Sequence, residues 1–263
     1  LLVMVQFWAA KALCLGDLFV GEITVGEKPL PGDLDEPRDI FLRAVGDIIG
    51  QGVVMVDKIS SWKFTEEFVT ESEPMRDARA RAEELGIECV TPAVGAHLAF
   101  LASSLQAKAI VEVGTGTGVS GLHLLSGSAT AVLATIDSEQ ENQAVAKIAF
   151  ADAGIASNRT RVIVGKAVDV MSNMADAAYD LVFLDADRDS LEDQLREASR
   201  MLRPGGVVAI AHALWRDRVP DSAMRDDATN TYRDVLRYFQ NNKDFISSLI
   251  TSGDGLLLAS KQA

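Results

Sequence analysis

The sequence predicts an α/β fold: a doubly wound, mostly parallel seven-stranded sheet that ends in a C-terminal antiparallel hairpin. Three observations predict this fold. An apolar segment, Ile110–Val113, leads into a turn with a glycine at every second position, Gly114 to Gly118, and then into residues of helical spacing. Short apolar segments afterwards alternate with amphipathic ones. Two β-type segments finally flank Ser252-Gly253-Asp254-Gly255, a sequence typical of a hairpin turn.

The individual elements follow in a regular order. Before the glycine-rich turn, Met75–Leu85 has the pattern of a charged helix that Gly86 ends, and a second helix begins with Thr91 as N-cap and Pro92 in its first position. After the turn, the predicted strands are Ala131–Ile136, Thr160–Val164, Tyr179–Leu184, Val207–His212, Phe245–Thr251 and Leu256–Ser260. The predicted helices are Ser138–Ala153, Ala167–Met174, Ser190–Leu202 and Asp226–Asn241.

Residues 1–55 form a leader with a poorly specified structure. Its first ten residues are apolar, but they lack the basic segment and the cleavage site of a signal peptide. Gly26–Pro37 is rich in turn formers and acids, which is typical of a loop or of disorder. The chain does not begin with Met, whereas Met55 precedes the well-patterned part. We interpret residues 1–55 as an extension foreign to the domain or a disordered appendage, and 56–263 as one domain with helices in 60–106 and the doubly wound core in 107–263.

Composition narrows the function classes. A net charge of −13 without any block of Lys and Arg argues against nucleic acid as a partner, because binding to phosphates depends on clustered basic residues. No apolar segment is long enough to span a bilayer, so no membrane partner is predicted. The two cysteines, Cys14 and Cys89, are isolated from each other and from histidines. They indicate neither zinc nor a disulfide framework, and they fit a cytoplasmic protein.

The ligand site is predicted at the carboxyl ends of the parallel strands, where open α/β sheets bind their ligands. Asp137 ends a strand about twenty residues after the glycines, so it could accept both ribose hydroxyls of a nucleoside; the alternative is an acid at the start of the next helix. Glu112 is difficult to justify in a buried strand unless it serves a polar part of the ligand.

Seven segments resemble, in order, the bacterial small O-methyltransferases related to catechol and caffeoyl-CoA O-methyltransferases. These belong to the class I S-adenosylmethionine (SAM) methyltransferases of Rossmann-like fold. The segments are VTPAVG (90–95), VEVGTGTGVS (111–120), TIDSE (135–139), GKAVDVM (165–171), LVFLDAD (181–187), LRPGG (202–206) and GDGLLLA (253–259). The resemblance implies SAM as cofactor, a small-molecule acceptor, a phenolic one as in these relatives, and a homodimer.

The resemblance also assigns residues to the SAM site. It implies contacts with SAM at Val90, Glu112, Gly114, Thr115, Gly116, Ser120, Asp137 and Ser138. It further implies that Ala167 lies beside the adenine, and that Asp185 and Asp187 lie near the methyl donor and the acceptor.

Two departures from the family concern its chemistry. The family's metal site uses the aspartate after the fourth strand, here Asp185, and an Asp-Asn pair after the fifth, where this chain has Ala211 and His212. Because Mg²⁺ prefers several oxygen ligands, we predict no metal-ligating residue and doubt a divalent metal. The family's candidate base, a lysine, is Arg188, which keeps its proton. We therefore predict His212 and Asp185 as the catalytic residues, with His212 as base or, alternatively, as part of the pocket lining.

The sequence thus predicts a SAM-dependent O-methyltransferase that methylates a hydroxyl of a small molecule without the family's usual metal site. Two alternatives stay open: a metal-independent methyltransferase with another small acceptor, and a SAM-binding protein with lost or altered catalysis. A nicotinamide dehydrogenase is disfavoured, because the third glycine of its fingerprint would fall on Val119.

Overall fold

The computed structural model describes residues 58–185 and 188–263. The predicted leader, residues 1–55, and the predicted site residue Asp187 lie outside this part of the chain. No helix within the described ranges combines the length and the apolar character that crossing a membrane requires.

Helices and strands alternate through the described chain. The helices are α1 (Lys58–Glu67), α2 (Glu73–Leu85), α3 (Pro92–Ser104), α4 (Val119–Ser126), α5 (Gln140–Asp152), α6 (Ala167–Met171), α7 (Leu191–Met201) and α8 (Asp227–Asn241). The strands are β1 (Ala109–Val113), β2 (Val132–Asp137), β3 (Thr160–Val164), β4 (Tyr179–Leu184), β5 (Leu202–Ile210), β6 (Phe245–Ile250) and β7 (Leu256–Lys261).

The seven described strands form one sheet in the order β3-β2-β1-β4-β5-β7-β6. Strands β1 to β5 pair in parallel, and β7 runs antiparallel to both of its neighbours. The predicted fold class, a mostly parallel doubly wound sheet with a C-terminal antiparallel hairpin, is therefore confirmed.

Two apolar layers cover the two faces of this sheet. Successive residues of a strand point to opposite faces, so Ile110 joins the layer formed with α3, α4 and α5, whereas Val111 joins the layer formed with α7 and α8. Both residues are fully buried. Burial on both faces explains why the central strands are continuous apolar runs rather than alternating ones.

Side chains cap α3 and α8 at their N-termini. The hydroxyl of Thr91 accepts a hydrogen bond from the backbone N–H of Val94, and Pro92 is the first residue of α3, as predicted. Asp226 caps α8 in the same way, through the N–H of Thr229.

The fifth strand differs from its predicted span. It was expected to cover Val207–His212, but β5 begins at Leu202 and ends at Ile210. Its pairing with β4 shifts between Leu202 and Val207, because the intervening Arg203–Gly206 bulges out of register. His212 has a φ of 56°, a left-handed conformation that a strand cannot continue through. The predicted strand end at His212 is therefore wrong by two residues.

Candidate functional site

A cavity lies at the point where the strand order reverses. The chain passes from β1 to β2 and β3 on one side, and then to β4 on the other, which leaves a crevice at the carboxyl ends of β1 and β4. A cavity of about 250 Å³ occupies this crevice, and we call it the switch-point cavity. Its lining residues are Ile87, Glu88, Cys89, Val90, Gly114, Thr115, Gly116, Thr117, Val119, Ser120, Asp137, Ser138, Asn142 and Asp185.

The glycine-rich turn forms the floor of the switch-point cavity. Gly114, Gly116 and Gly118 all have positive φ, of 95°, 48° and 91°, which other residues adopt only with strain. A Cβ atom on Gly118 would also lie 3.3 Å from the backbone of Ala146, so α5 packs close behind the turn. Helix α4 begins directly after it, and its unpaired N–H groups favour polar or anionic ligand groups at this place.

Asp137 holds the turn from the end of β2. Its Oδ2 accepts a hydrogen bond of 3.0 Å from the N–H of Gly116, and its Oδ1 accepts one of 2.9 Å from the N–H of Glu139. The amide of Asn142 donates to the same carboxylate over 3.4 Å. The carboxylate therefore acts as the helix-start acid that was the alternative for this position, while it also lines the cavity. An ionised carboxylate offers about four acceptor positions, so it retains capacity for a ligand hydroxyl.

Glu112 is fully buried in β1, two residues before the glycine turn. Its Oε2 accepts a hydrogen bond of 2.6 Å from the hydroxyl of Thr135, whereas no described residue bonds its Oε1. Burial raises the pKa of Glu112 to about 7, although interactions with the hydroxyls of Ser120 and Thr135 act in the opposite direction. A buried carboxylate oxygen without a partner is costly, and a ligand donor that reached it from the neighbouring turn, whose Gly114 lines the cavity, would remove that cost.

The predicted SAM contacts do not all meet at the switch-point cavity. Val90, Gly114, Thr115, Gly116, Ser120, Asp137, Ser138 and Asp185 line it. Glu112 and Ala167 are outside the lining: Glu112 is in β1, two residues before Gly114, and Ala167 is at the first position of α6 after β3. The lining residues that the sequence did not predict as contacts are Ile87, Glu88, Cys89, Thr117, Val119 and Asn142. Ile87, Glu88 and Cys89 form no recognisable motif. They directly precede the predicted contact Val90, however, and their position in the sequence could have predicted that they line the same cavity.

Asp185 connects the switch-point cavity to a second group of polar side chains. It follows β4, and its Oδ1 lies 3.3 Å from Nε2 of His212, which follows the neighbouring strand β5. The Nδ1 atom of His212 lies 3.2 Å from Oδ2 of Asp254, in the turn between β6 and β7. The imidazole is therefore held between two carboxylates, and Asp254 also accepts a hydrogen bond from the N–H of Arg216.

These neighbours determine the charge of His212. The hydrogen bond with Asp185, supported by Asp254, raises the pKa of His212 to about 9, although burial acts in the opposite direction. The imidazole is then protonated at neutral pH and has no lone pair with which to accept a proton. The predicted role of His212 as a general base therefore conflicts with its surroundings.

The described residues after β4 and β5, Asp185, Ala211 and His212, do not together fit a divalent metal. Ala211 offers no side-chain donor, and both nitrogens of His212 face carboxylates. His212 could bind a metal only as a neutral imidazole. Within the described ranges, no group of three or more His, Cys, Asp or Glu side chains has a metal-binding arrangement.

Aromatic and cationic side chains lie beside His212. The ring of Trp215 stacks on that of Tyr232 with centroids 5.3 Å apart, and the guanidinium groups of Arg188 and Arg216 lie 5.0 Å and 5.6 Å from the Trp215 centroid. Arg216 also pairs with Glu88, which lines the switch-point cavity, over 3.3 Å. This loop after β5 thus reaches across to the opposite wall of the cavity.

Comparison with known proteins identifies sequences and structures that are similar to this chain. The sequence profile of the family described as O-methyltransferase matches residues 66–262. A protein of Mycobacterium ulcerans, provisionally named an O-methyltransferase, is 46% identical over 192 residues, which are 73% of this chain and 86% of that protein. A similarly named protein of Mycobacterium tuberculosis is 44% identical over 201 residues, or 76% of this chain and 90% of its own length.

Solved structures agree with the sequence comparison. A protein of Corynebacterium glutamicum superposes with a TM-score of 0.73 at 27% identity, covering 79% of this chain and 98% of its own. The O-methyltransferase TomG of Streptomyces achromogenes, which is involved in tomaymycin synthesis, was solved in complex with SAM. It superposes with a TM-score of 0.69 at 26% identity and covers 76% of this chain and 95% of its own.

Proposed function

The chain belongs to the O-methyltransferase family and is a SAM-dependent O-methyltransferase that acts on a small-molecule acceptor; from this premise we propose that its acceptor is a phenolic hydroxyl and that it needs no divalent metal. The observation that carries the proposal is the position of Asp185. This residue lines the switch-point cavity and also contacts His212, so donor and acceptor chemistry meet at one carboxylate.

We assign the switch-point cavity to SAM. The N–H groups at the start of α4 suit its carboxylate, and the unpaired Oε1 of Glu112 suits a donor group such as its ammonium. Asp137 would accept from the ribose hydroxyls while it keeps the glycine turn in place. Ser138 lines the same part of the cavity, and Ala167 would lie beside the adenine beyond β3.

The acceptor side is formed by Asp185 and His212. SAM supplies a methyl group on a sulfonium, and its transfer breaks the carbon–sulfur bond and forms a carbon–oxygen bond in line with it. The His212 imidazolium, fixed between two carboxylates, favours negative charge on an acceptor oxygen placed beside it. Asp185 would take the proton of the hydroxyl and pass it to water, so that His212 keeps its own proton throughout.

Three further statements belong to the same proposal. The domain is residues 56–263, and the leader takes no part in it. The protein works in the cytoplasm, where its few cysteines stay reduced. It forms a homodimer; the exposed apolar side chains of Trp62 and Phe64 on α1, and of Phe68 directly after it, support this. Light scattering during size-exclusion chromatography tests the dimer, and a monomer at micromolar concentration would contradict it.

Turnover tests the main proposal. The protein is incubated with SAM and a panel of phenols and catechols, and mass spectrometry detects the methylated product together with S-adenosylhomocysteine (SAH). Aliphatic alcohols, thiols and amines are the matched non-phenolic panel. We expect products only from the phenolic panel. Turnover confined to the other panel would contradict the phenolic acceptor. Binding of SAH without turnover of any acceptor would favour the alternative of a SAM-binding protein with lost catalysis.

A further inference from the structure

A buried ionic cluster lies behind one wall of the switch-point cavity. Glu71, in the loop between α1 and α2, is only 7% exposed, and His123 of α4 is 3% exposed. The Nε2 atom of His123 lies 3.0 Å from Oε1 of Glu71. The guanidinium of Arg79, on α2, donates to both carboxylate oxygens of Glu71 in a bidentate pair.

Glu71 is the negative charge of this cluster. Burial alone would raise the pKa of Glu71, but the hydrogen bonds with His123 and Arg79 lower it to about 2. The carboxylate is therefore ionised at any pH at which the protein is studied, and as a pure acceptor it requires Nε2 of His123 to donate. Helix α3 leaves room for that ring through Gly95, where a Cβ atom would lie 2.4 Å from the imidazole.

The remaining donor of Arg79 reaches the cavity wall. Its Nη1 donates to the backbone carbonyl of Val90 over 2.7 Å and lies 3.2 Å from Sγ of Cys89. Both Cys89 and Val90 line the switch-point cavity, whereas Arg79 does not. Through His123, the same cluster is anchored to α4, which carries the cavity-lining Ser120. Arg79 thus contacts the Cys89–Val90 segment directly and is connected to α4 through the carboxylate of Glu71 and the ring of His123.

We propose that Arg79 and Glu71 are positioning residues for donor binding, which hold the Cys89–Val90 segment at the distance from α4 that SAM and SAH require. The proposal rests on the assignment of SAM to the switch-point cavity. The planar fork of arginine is essential to it, because only a guanidinium can bind a carboxylate with two N–H groups and still donate to a carbonyl from the third nitrogen. A lysine keeps the charge but cannot make this set of bonds together.

The test compares two identical substitutions on one helix. Arg79→Lys should raise the dissociation constant of SAH about tenfold in titration calorimetry, at a temperature where circular dichroism shows the variant folded. Arg81→Lys is the matched control; Arg81 is also on α2 but pairs with the partly exposed Asp152 over 3.3 Å, away from the cavity. This variant should bind SAH like the wild type. Should Arg79→Lys fail to fold, Glu71→Gln tests the same fork with an uncharged side chain of equal shape, and it should also weaken SAH about tenfold.

A turnover measurement separates positioning from general damage. With a phenol that the wild type methylates, the KM for SAM should rise about tenfold in Arg79→Lys, while kcat and the KM for the phenol stay within about twofold. Unchanged affinity for SAH in folded Arg79→Lys and Glu71→Gln would overturn the proposal, and so would an equal loss in kcat and in both KM values. Failure of the wild type itself to bind SAH would instead overturn the assignment of the cavity to SAM.

Discussion

The Nε2 atom of His212 lies 3.3 Å from Oδ1 of Asp185, and the two residues follow adjacent parallel strands. Parallel strands bring their carboxyl ends to the same edge of the sheet, so this contact follows from the topology. The contacts with Asp185 and Asp254 keep the imidazole of His212 protonated, so that it carries a positive charge. In the proposed site this imidazolium would favour an ionised acceptor oxygen, and the predictions below test whether His212 has that charge.

The first prediction concerns the pH dependence that this cation produces. The pKa of His212 is raised from 6.5 to about 9 in the folded protein, so folding binds an additional proton between these values. Its stabilisation should be complete below pH 6.5 and should disappear as pH rises to about 9. His212→Ala should therefore lower the free energy of unfolding on the order of 2 kcal/mol at pH 6 and much less at pH 10. Chemical denaturation at both values measures this.

Activity gives an independent check on His212. A protonated imidazole should leave the rate nearly flat from pH 6 to about 8.5, with a loss above about 9. In Asp254→Asn, which removes one of the two carboxylates, this loss should begin at lower pH. Two results together would restore the general-base role: a rate that rises with an apparent pKa near 6.5, and a rate about a hundredfold lower in His212→Ala.

The second prediction concerns the buried carboxyl of Glu112. Its pKa is raised from 4.5 to about 7, so the folded state holds the proton more tightly than the unfolded state does. The wild type should therefore lose stability as pH rises from 4.5 to 7. Glu112→Gln removes this loss and should be more stable than the wild type at pH 8, on the order of 2 kcal/mol, and similar to it at pH 4.5.

Glu112→Gln should also bind SAH more weakly. The substitution replaces the carboxylate, whose Oε1 is unpaired, by a neutral amide that cannot form an ion pair with the ammonium of SAH. Melting temperatures at pH 4.5 and pH 8, together with calorimetry of SAH, measure both effects. A variant that is less stable than the wild type at pH 8 would contradict the cost assigned to the ionised carboxyl.

The sheet was predictable because its strands are apolar runs bounded by turn residues. The span predicted for Thr160–Val164 equals that of β3, and the glycine turn follows from backbone positions where only glycine is unstrained. The extent of β5 was not predictable, because nothing near His212 marks its left-handed φ of 56°. Histidine is among the residues that adopt this conformation more often than most, but that preference is weak.

The polar partners could not be predicted, because they are distant in the sequence. Glu71 and His123 are 52 residues apart, and His212 and Asp254 are 42 apart. A lone histidine on an apolar helix gives no sign of a buried carboxylate contributed by another element. The charge of His212 depends on such partners, which the sequence does not show. Its role as a base was therefore inferred from an unperturbed pKa, whereas the neighbouring carboxylates raise that pKa in the folded protein.

The third prediction concerns Asp137. Asp137→Ala removes the acceptor of the Gly116 N–H and the proposed acceptor of the ribose hydroxyls. Hydrogen bonds to charged groups are worth about 1.5–3 kcal/mol each, so the dissociation constant of SAH should rise at least tenfold. Asp152→Ala, at the other end of α5, is the control and should leave it unchanged. Equal affinities for both variants in calorimetry would remove Asp137 from the donor site.

The fourth prediction concerns the leader. The family profile begins at residue 66, and the lining of the cavity assigned to SAM begins at Ile87. Deletion of residues 1–54 should therefore leave the affinity for SAH within about twofold and the melting temperature nearly unchanged, as measured by calorimetry and differential scanning fluorimetry. Loss of folded protein on truncation would show that the leader belongs to the domain or to its dimer interface.

The last prediction is that turnover does not depend on a divalent metal. Asp185 and His212 already form an ion pair, and Ala211 supplies no ligand, so a cation at this place would meet a competing positive charge. Activity should survive EDTA and should not increase with Mg²⁺.

The double substitution Ala211→Asp with His212→Asn replaces the imidazolium by two oxygen ligands, and asparagine tolerates the left-handed φ at that position. Calorimetry should show Mg²⁺ binding in this variant and none in the wild type. Wild-type activity that EDTA abolishes and Mg²⁺ restores would show that the ion pair opens to admit a metal.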